Sequence, residues 1–366
     1  MIVIYILIAI VVLPFLYVRF HPMFGGKISA AEKERLEQSP YYIKGTFRNL
    51  TRSRVLMSVK RVPDIIKEKR RNRKSLRPKS DIEVVKFDKK AFISGTQPKF
   101  IWFGHSTLLF RINGLTIAVD PMFGEDVTPM LPTTNRRYSK NILSIIDELP
   151  PIDIVLFTHD HYDHLDYKSV KKIKSKVNYF YGPIGIARHL KKWGVDDVSI
   201  TELEWYDSKL IDGLNISFMP TNHYSGRLIR DRNQALWGGW IIRSEEVNIY
   251  VSGDGGYTKE FEKIGEQYGP FDWCFSECGQ YNDLWRINHM FPKESAQAAI
   301  DVRARYAIPI HWGGFTLAMH PWKEPVEHFT EYIKDASVQL CVPQIGAIVE
   351  YGKEDEETND WHMSLD

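Results

Sequence analysis

The stretch Thr158-His159-Asp160-His161-Tyr162-Asp163-His164 gathers three histidines and Asp163 directly after the apolar run Ile154-Val155-Leu156-Phe157. Neutral imidazoles and carboxylates are the ligands that zinc and neighbouring divalent metals take, and a buried strand end is a rigid place from which to aim them. His159 and His161, two apart, leave an extended chain on the same side and can grip one ion. Asp163 and His164 follow where the chain must turn and can reach a second ion. A merely solvated polar turn would rarely carry so many ligands, so the fold has to present this loop from a sheet.

From about Lys99 onward the pattern supplies such sheets. Lys99 to Phe103, Thr107 to Ile112 and Leu115 to Val119 read as strands, with Asn113-Gly114 a two-residue hairpin turn. Asp153 to Phe157 delivers the histidine loop. Tyr167 to Lys176 and Ile184 to Trp193 carry apolar residues at helical spacing, and Gly194 stops the second. A second β-rich block places strands at Leu214 to Met219, Trp240 to Arg243, Asn248 to Val251, Trp273 to Ser276, Ala307 to Ile310 and Gly346 to Tyr351. Helices are expected near Lys259 to Glu266, Pro292 to Arg303 and Pro325 to Lys334. Two strand blocks with helices interspersed predict two packed sheets with helices outside them.

The 366-residue chain is 43% hydrophobic and 26% charged, an ordinary folding composition. Cys274, Cys278 and Cys341 make no even framework and read as buried thiols in a reducing compartment. The amino terminus is different: Ile2 to Val18 is apolar and uncharged, interrupted by Pro14, which predicts an uncleaved transmembrane anchor over residues 1–20. Arg19, Lys27, Lys33 and Arg35 follow it, so the expected location is a single-pass cell-membrane protein with its main domain on the cytoplasmic side. Residues 21–98 read as a basic linker and extension, 99–352 as the main folded domain that carries the histidine loop and 353–366 as an acidic, frayed tail.

Between Arg52 and Lys79 stand twelve Lys/Arg against Asp64 and Glu68, in a chain whose net charge is +2. Near a bilayer such a stretch contacts anionic headgroups, at about 1 kcal/mol per cation; a solvated linker fits it equally well. No nucleic-acid-binding motif accompanies it, so no nucleic-acid partner is expected. The oligomeric state stays open, a homodimer included.

Four more residues, His223, Asp254, His289 and His311, each stand just past a β-like run, as the histidine loop does. The carrying motifs are Trp102-Phe103-Gly104-His105-Ser106-Thr107, Asp120-Pro121-Met122-Phe123, Thr158 to Leu165, His223-Tyr224-Ser225, Leu236-Trp237-Gly238-Gly239-Trp240, Ser252-Gly253-Asp254 and Ile310-His311-Trp312-Gly313. Together they resemble the metallo-β-lactamase superfamily, and within it the N-acylphosphatidylethanolamine-hydrolysing phospholipases D and their bacterial relatives. The resemblance runs from Arg48 to Gly352.

It implies an α+β fold of αββα sandwich type with two Zn²⁺ ions at one edge, although another divalent metal would also fit these ligands. His159, His161 and His223 would hold the first ion, Asp163, His164 and His311 the second, and Asp254 would bridge them. A hydroxide shared by the ions would be the nucleophile, with Asp163 orienting it. His289 would face the substrate as a phosphate contact or leaving-group acid. His105 and Asp120 would steady the ligands by hydrogen bonds. The implied function is a membrane-associated phosphodiesterase acting on a phospholipid substrate of the N-acylphosphatidylethanolamine kind. A lactone hydrolase on the same metals, or a non-catalytic membrane scaffold, are the alternatives. Tyr224 stands where those phospholipases usually have tryptophan and Gly255 where a hydroxyl residue follows the bridging aspartate, which weakens the inference to one particular lipid.

Overall fold

The structure, a computed structural model, describes residues 12–51, 61–129, 135–358 and 360–365. The strands of its two main sheets are β1 Lys99–Trp102, β2 Leu108–Ile112, β3 Leu115–Val119, β4 Ile152–Leu156, β5 Val177–Pro183, β6 Ile200–Leu203 and β7 Ser208–Ile211, continuing with β8 Leu214–Met219, β9 Gly239–Arg243, β10 Asn248–Val251, β11 Phe271–Glu277, β12 Ala304–Ile310, β13 Gln339–Leu340 and β14 Ile348–Glu350. The first sheet runs β14-β1-β2-β3-β4-β5-β6 and the second β13-β12-β11-β10-β9-β8-β7. Each sheet begins with antiparallel pairs and ends parallel, from β3 to β6 in the first and from β10 to β13 in the second.

Alternation along the strands decides what lies between the sheets. Phe100, Trp102, Phe110 and Leu156 from one sheet meet Phe218, Trp240, Trp273 and Phe275 from the other. The intervening residues, such as Ile101, Leu109 and Val155, point outward and are covered by α1 (Tyr167–Ile173) and α2 (Ala187–Lys192). On the far side α3 (Glu260–Tyr268), α4 (Pro292–Asp301) and α5 (Glu324–Ile333) lay Phe261, Ala299 and Phe329 over Tyr250 and Ala307. The result is the expected αββα sandwich.

Asn113 and Gly114 have φ of 51° and 74°, so the predicted turn between β2 and β3 is of the primed hairpin type. Strands β5, β6, β7 and β13 are additions to the predicted set. β7 is an almost fully exposed edge strand carrying Lys209, and it has no apolar alternation to reveal it. The helix expected from Ile184 starts only at Ala187, because Gly185 turns with φ of 97° and Glu202 Oε1 accepts from both Gly185 N and Ala187 N. Cys274, Cys278 and Cys341 are buried and free, as expected.

The core also draws on segments outside 99–352. Leu36, Tyr42, Phe47 and Ile82 join the inter-sheet cluster. The tail is not frayed: Trp361 stacks on Trp312 at 5.6 Å, and buried Glu354 accepts a 2.8 Å hydrogen bond from Trp273 Nε1. Glu354→Ala leaves that indole N–H unpaired inside the protein, so it is expected to lower stability by about 1–3 kcal/mol. A reduced urea midpoint would show it, and an unchanged one would mean the tail is not part of the cooperative unit.

Of the expected anchor, residues 1–11 lie outside the described residues. Residues 12–20 are helical, and no helix among the described residues is long and apolar enough to cross a membrane. Residues 52–60 of the basic run are likewise outside, while Val62–Arg71 forms a helix in which Glu68 accepts from Asn282 at 3.0 Å.

Candidate metal centre

The side chains of the centre sit at or just beyond the carboxyl ends of strands, where the two sheets share an edge. Phe157 N bonds to Tyr181 O and Gly238 N to Thr158 O, which carries β4 straight into the histidine loop. Leu165 N then closes a turn on His161 O, and Asp166 caps α1 by accepting from Ser169 N. His105, after β1, and His311, after β12, are tied backbone to backbone, His311 N bonding to His105 O at 2.8 Å. Both lie in the left-handed region, with φ of 55° and 68°, as does Asp120 at 41°. Such conformations in non-glycine residues concentrate at functional sites.

Two groups of ligand atoms result. In the first, His159 Nε2 is 2.9 Å from His161 Nδ1, which is 3.3 Å from His223 Nε2. His223 Nδ1 lies 2.9 Å from Asn288 O; a proton there donates to the carbonyl and leaves Nε2 as a lone pair facing the group. The second group joins His105, Asp163, His164 and His311. His164 Nδ1 is held at 2.7 Å by Asp120 Oδ2, and Asp120 is itself fixed by Thr158 N and Oγ1. His105 Nε2 sits 2.9 Å from Asp163 Oδ2, and Ser106 Oγ lies 2.9 Å from His311 Nδ1.

Asp254 stands between the groups. Its Oδ2 is 3.1 Å from His164 Nε2 and 3.9 Å from both His159 Nε2 and His223 Nε2, while Oδ1 is 3.3 Å from His311 Nδ1. His164 Nε2, His311 Nε2 and Asp254 Oδ1 are buried yet make no aligned hydrogen bond. Buried polar atoms are normally partnered, so unpaired imidazole and carboxylate atoms gathered here fit cations as their missing partners.

Protonation of His159, His223, His311, Asp163 and Asp254 agrees with that role. Burial first, and then neighbouring imidazoles, holds His159, His223 and His311 well below the ordinary imidazole value, leaving them neutral and ligand-ready. Burial opposes charge on Asp163 and Asp254 as well, but His164 foremost outweighs it and both stay ionised. On His164, burial is overcome by Asp254, Asp163 and Asp120, which raise its pKa.

A cleft of about 640 Å³ opens over these groups, lined by Tyr162, Tyr224, Arg232, Trp285, His289 and Leu317 among others. A matching sequence model now adds to the geometry: residues 116–312 fit the family described as Beta-lactamase superfamily domain. The chain belongs to the β-lactamase superfamily. Its fold and donor set place it among the metal-dependent hydrolases of that superfamily.

An uncharacterized protein of Mycobacterium tuberculosis (strain ATCC 25618 / H37Rv) is 38% identical over 253 residues, 68% of each chain. The N-acyl-phosphatidylethanolamine-hydrolyzing phospholipase D 1 of Caenorhabditis elegans is 33% identical over 59% of this chain and 64% of its own. Among solved structures, the metallo hydrolase Igni18 of Ignicoccus hospitalis KIN4/I shares the fold at a TM-score of 0.56 and 22% identity, over 70% of this chain and 99% of its own.

Within this superfamily member the predicted residues His159, His161, Asp163, His164, His223, Asp254 and His311 all converge on the one edge. His105 and Asp120, expected to steady the ligands, lie within hydrogen-bond distance of Asp163 and His164. His289 reaches the cleft wall. Sequence reasoning missed Glu277, the last residue of β11, whose buried Oε1 is 2.6 Å from His289 Nδ1 while Oε2 accepts from Met290 N. Burial pushes the Glu277 carboxyl up to about 7 despite the opposing His289. On His289, burial is outweighed by Glu277 and the pKa rises. Asp160, inside the histidine motif, was also given no role. At Gly255 space is tight: a Cβ there would stand 3.0 Å from Thr221 Cβ and 3.1 Å from Asn222 N, so a hydroxyl residue would need these neighbours to give by a few tenths of an ångström.

Proposed function

We propose that this protein is a dinuclear zinc phosphodiesterase of the phospholipase D type, associated with a membrane through its amino terminus, with its cleft on the cytoplasmic side. Its proposed substrates are phospholipids of the N-acylphosphatidylethanolamine kind. The observation that carries the reading is the pair of donor groups joined by Asp254. His159, His161 and His223 would hold one ion, and Asp163, His164 and His311 the other. When bound, such cations polarise a phosphoryl oxygen and acidify water enough to ionise near neutral pH.

The chain's own residues supply the rest. Arg232 lines the cleft with its guanidinium 4.3 Å from the Tyr224 ring, a positive wall suited to an anionic diester. Glu277 takes His289 Nδ1, so the imidazole is fixed in direction and its Nε2 is free to pass a proton to the leaving alkoxide. The likeness to the C. elegans phospholipase supports the substrate class.

Two zinc equivalents per chain and turnover of bis(p-nitrophenyl) phosphate are expected, followed by cleavage within a panel of phospholipids. Turnover of lactones alone would replace this reading with a lactonase, and zinc binding without any hydrolysis would favour a scaffold. His289→Ala is expected to retain its metal while turnover drops on the order of a hundredfold. Zinc loss from that variant would make His289 a ligand instead.

A further inference from the structure

The segment leading out of residues 12–20 is built into the cleft rim. Trp193 Nε1 donates to Pro22 O and Lys192 Nζ to Gly25 O, both at 2.8 Å. Gly25, at φ of 73°, and Gly26 pass so close to His189 and Arg188 that a Cβ on either would lie within 2 Å of them, at 1.8 and 1.9 Å. Only glycine permits that approach. Arg227 donates from Nε and Nη2 to Met23 O, and its guanidinium stacks 4.0 Å from the Tyr162 ring centroid. The Phe24 ring meets Tyr162 edge-on, and Tyr17 donates from its hydroxyl to Pro129 O at 2.6 Å. Tyr162 and Val127 line the cleft, so the helix stands beside its mouth.

That helix exposes what a soluble protein buries. Leu13, Phe15 and Phe20 are 63%, 64% and 65% exposed, with Leu16 beside them, and the sequence before it, Ile2 to Val11, carries no charge. At its base Arg19, Lys27, Lys192 and Arg230 surround a recess of about 280 Å³. Asp231 also lines it, but Asp231 Oδ1 is taken by Arg227 N and Leu228 N. An apolar helix over a collar of cations complements an anionic bilayer in both layers, acyl chains above and phosphates at the collar. A protein partner would explain the apolar face but not the gathered cations.

We infer that residues 12–20 insert into an anionic bilayer with Arg19, Lys27, Lys192 and Arg230 at the lipid phosphates, and that this docking holds the mouth of the metal cleft at headgroup level. The inference deepens the phospholipase reading, on which its consequence for turnover rests. A lipid then reaches the metals by rising along the rim past Tyr162 instead of leaving the membrane.

The test uses the full chain and vesicles of phosphatidylcholine with or without phosphatidylglycerol. The triple variant Arg19→Gln/Lys27→Gln/Arg230→Gln should bind the anionic vesicles on the order of a hundredfold more weakly, at about fivefold per cation. Leu13→Ser/Phe15→Ser/Phe20→Ser should lose binding to both kinds of vesicle. Both variants should turn over bis(p-nitrophenyl) phosphate at the wild-type rate while slowing on lipid in vesicles. Unchanged vesicle binding by the charge variant overturns the docking, as does a wild type indifferent to phosphatidylglycerol or displaced from vesicles by inorganic phosphate at equal ionic strength. Charge-dependent vesicle binding with no hydrolysis of any phospholipid would support the docking and sink the phospholipase reading.

Discussion

Asp254→Ala is expected to strip the centre of stoichiometric metal and to lower turnover by roughly a thousandfold or more, about 4 kcal/mol of barrier. The residue is the one carboxylate of the predicted set that approaches imidazoles of both groups, within 3.1 Å of His164 and 3.9 Å of His159 and His223. Without it the three-histidine group has only neutral ligands, and the other keeps Asp163 alone to balance a divalent charge. Buried cations need anionic partners, because neutral ligands in a water-poor site do not offset the lost hydration. Asp254→Asn preserves the shape and removes the charge, and should fail nearly as badly. Metal per chain measured beside kcat is the check. An alanine variant with full metal and normal turnover would mean that the two groups are not one centre.

What the sequence made legible follows from how the ligands are presented. His159, His223, Asp254 and His311 each stand one to four residues past the end of an apolar run, and a polar residue at that point is presented at the sheet edge. Glu277 obeys the same rule at the end of β11, yet it lies among Cys274, Phe275 and Cys278 and gave no spacing signal. Its partner His289 was expected just past a β-like run, but the preceding strand ends twelve residues earlier at Glu277, so only the family pattern gave His289 its role. The sandwich was readable because inward and outward residues alternate along β1, β2 and β4. The roles of Leu36, Phe47 and Trp361 were hidden, because single anchors far apart in sequence have no period and find their places only once both sheets exist. The basic run drew attention to residues 52–79, whereas the cations gathered by the fold beside the apolar helix come from three separated segments.

Asp160→Ala is expected to destabilise the protein by roughly 3–5 kcal/mol, the usual cost of removing one partner from a buried charged network. Asp160 is fully buried; its Oδ1 accepts from Gly226 N at 2.6 Å, and its Oδ2 lies 3.4 Å from Arg188 Nη2 and 3.3 Å from His189 Nε2. Gly26 N donates to His189 Nδ1, so the ring proton sits on Nε2 and points at the carboxylate. One side chain thus ties the histidine loop to α2, to the 226 loop and, through His189, to the amino-terminal segment. Burial opposes ionisation of Asp160, but His189 and Arg188 outweigh it and hold its pKa below the ordinary carboxylate range. Its contribution is therefore complete above about pH 4 and is lost as pH falls through the lowered native value. The gap between wild type and Asp160→Ala should be constant from neutral pH down to about 4 and narrow below it. His189 adds a second trend. Burial first, then Arg188, lowers its pKa to about 3, so below about 6.5 the unfolded chain takes up a proton that the native chain refuses. Stability then declines as pH drops from that value towards 3, by up to about 1.4 kcal/mol per pH unit, in wild type and Asp160→Ala alike. Urea midpoints across this range, on metal-loaded protein, test both. A variant whose deficit instead grew steadily from pH 4 to pH 8 would show that Asp160 acts through some group other than this buried network.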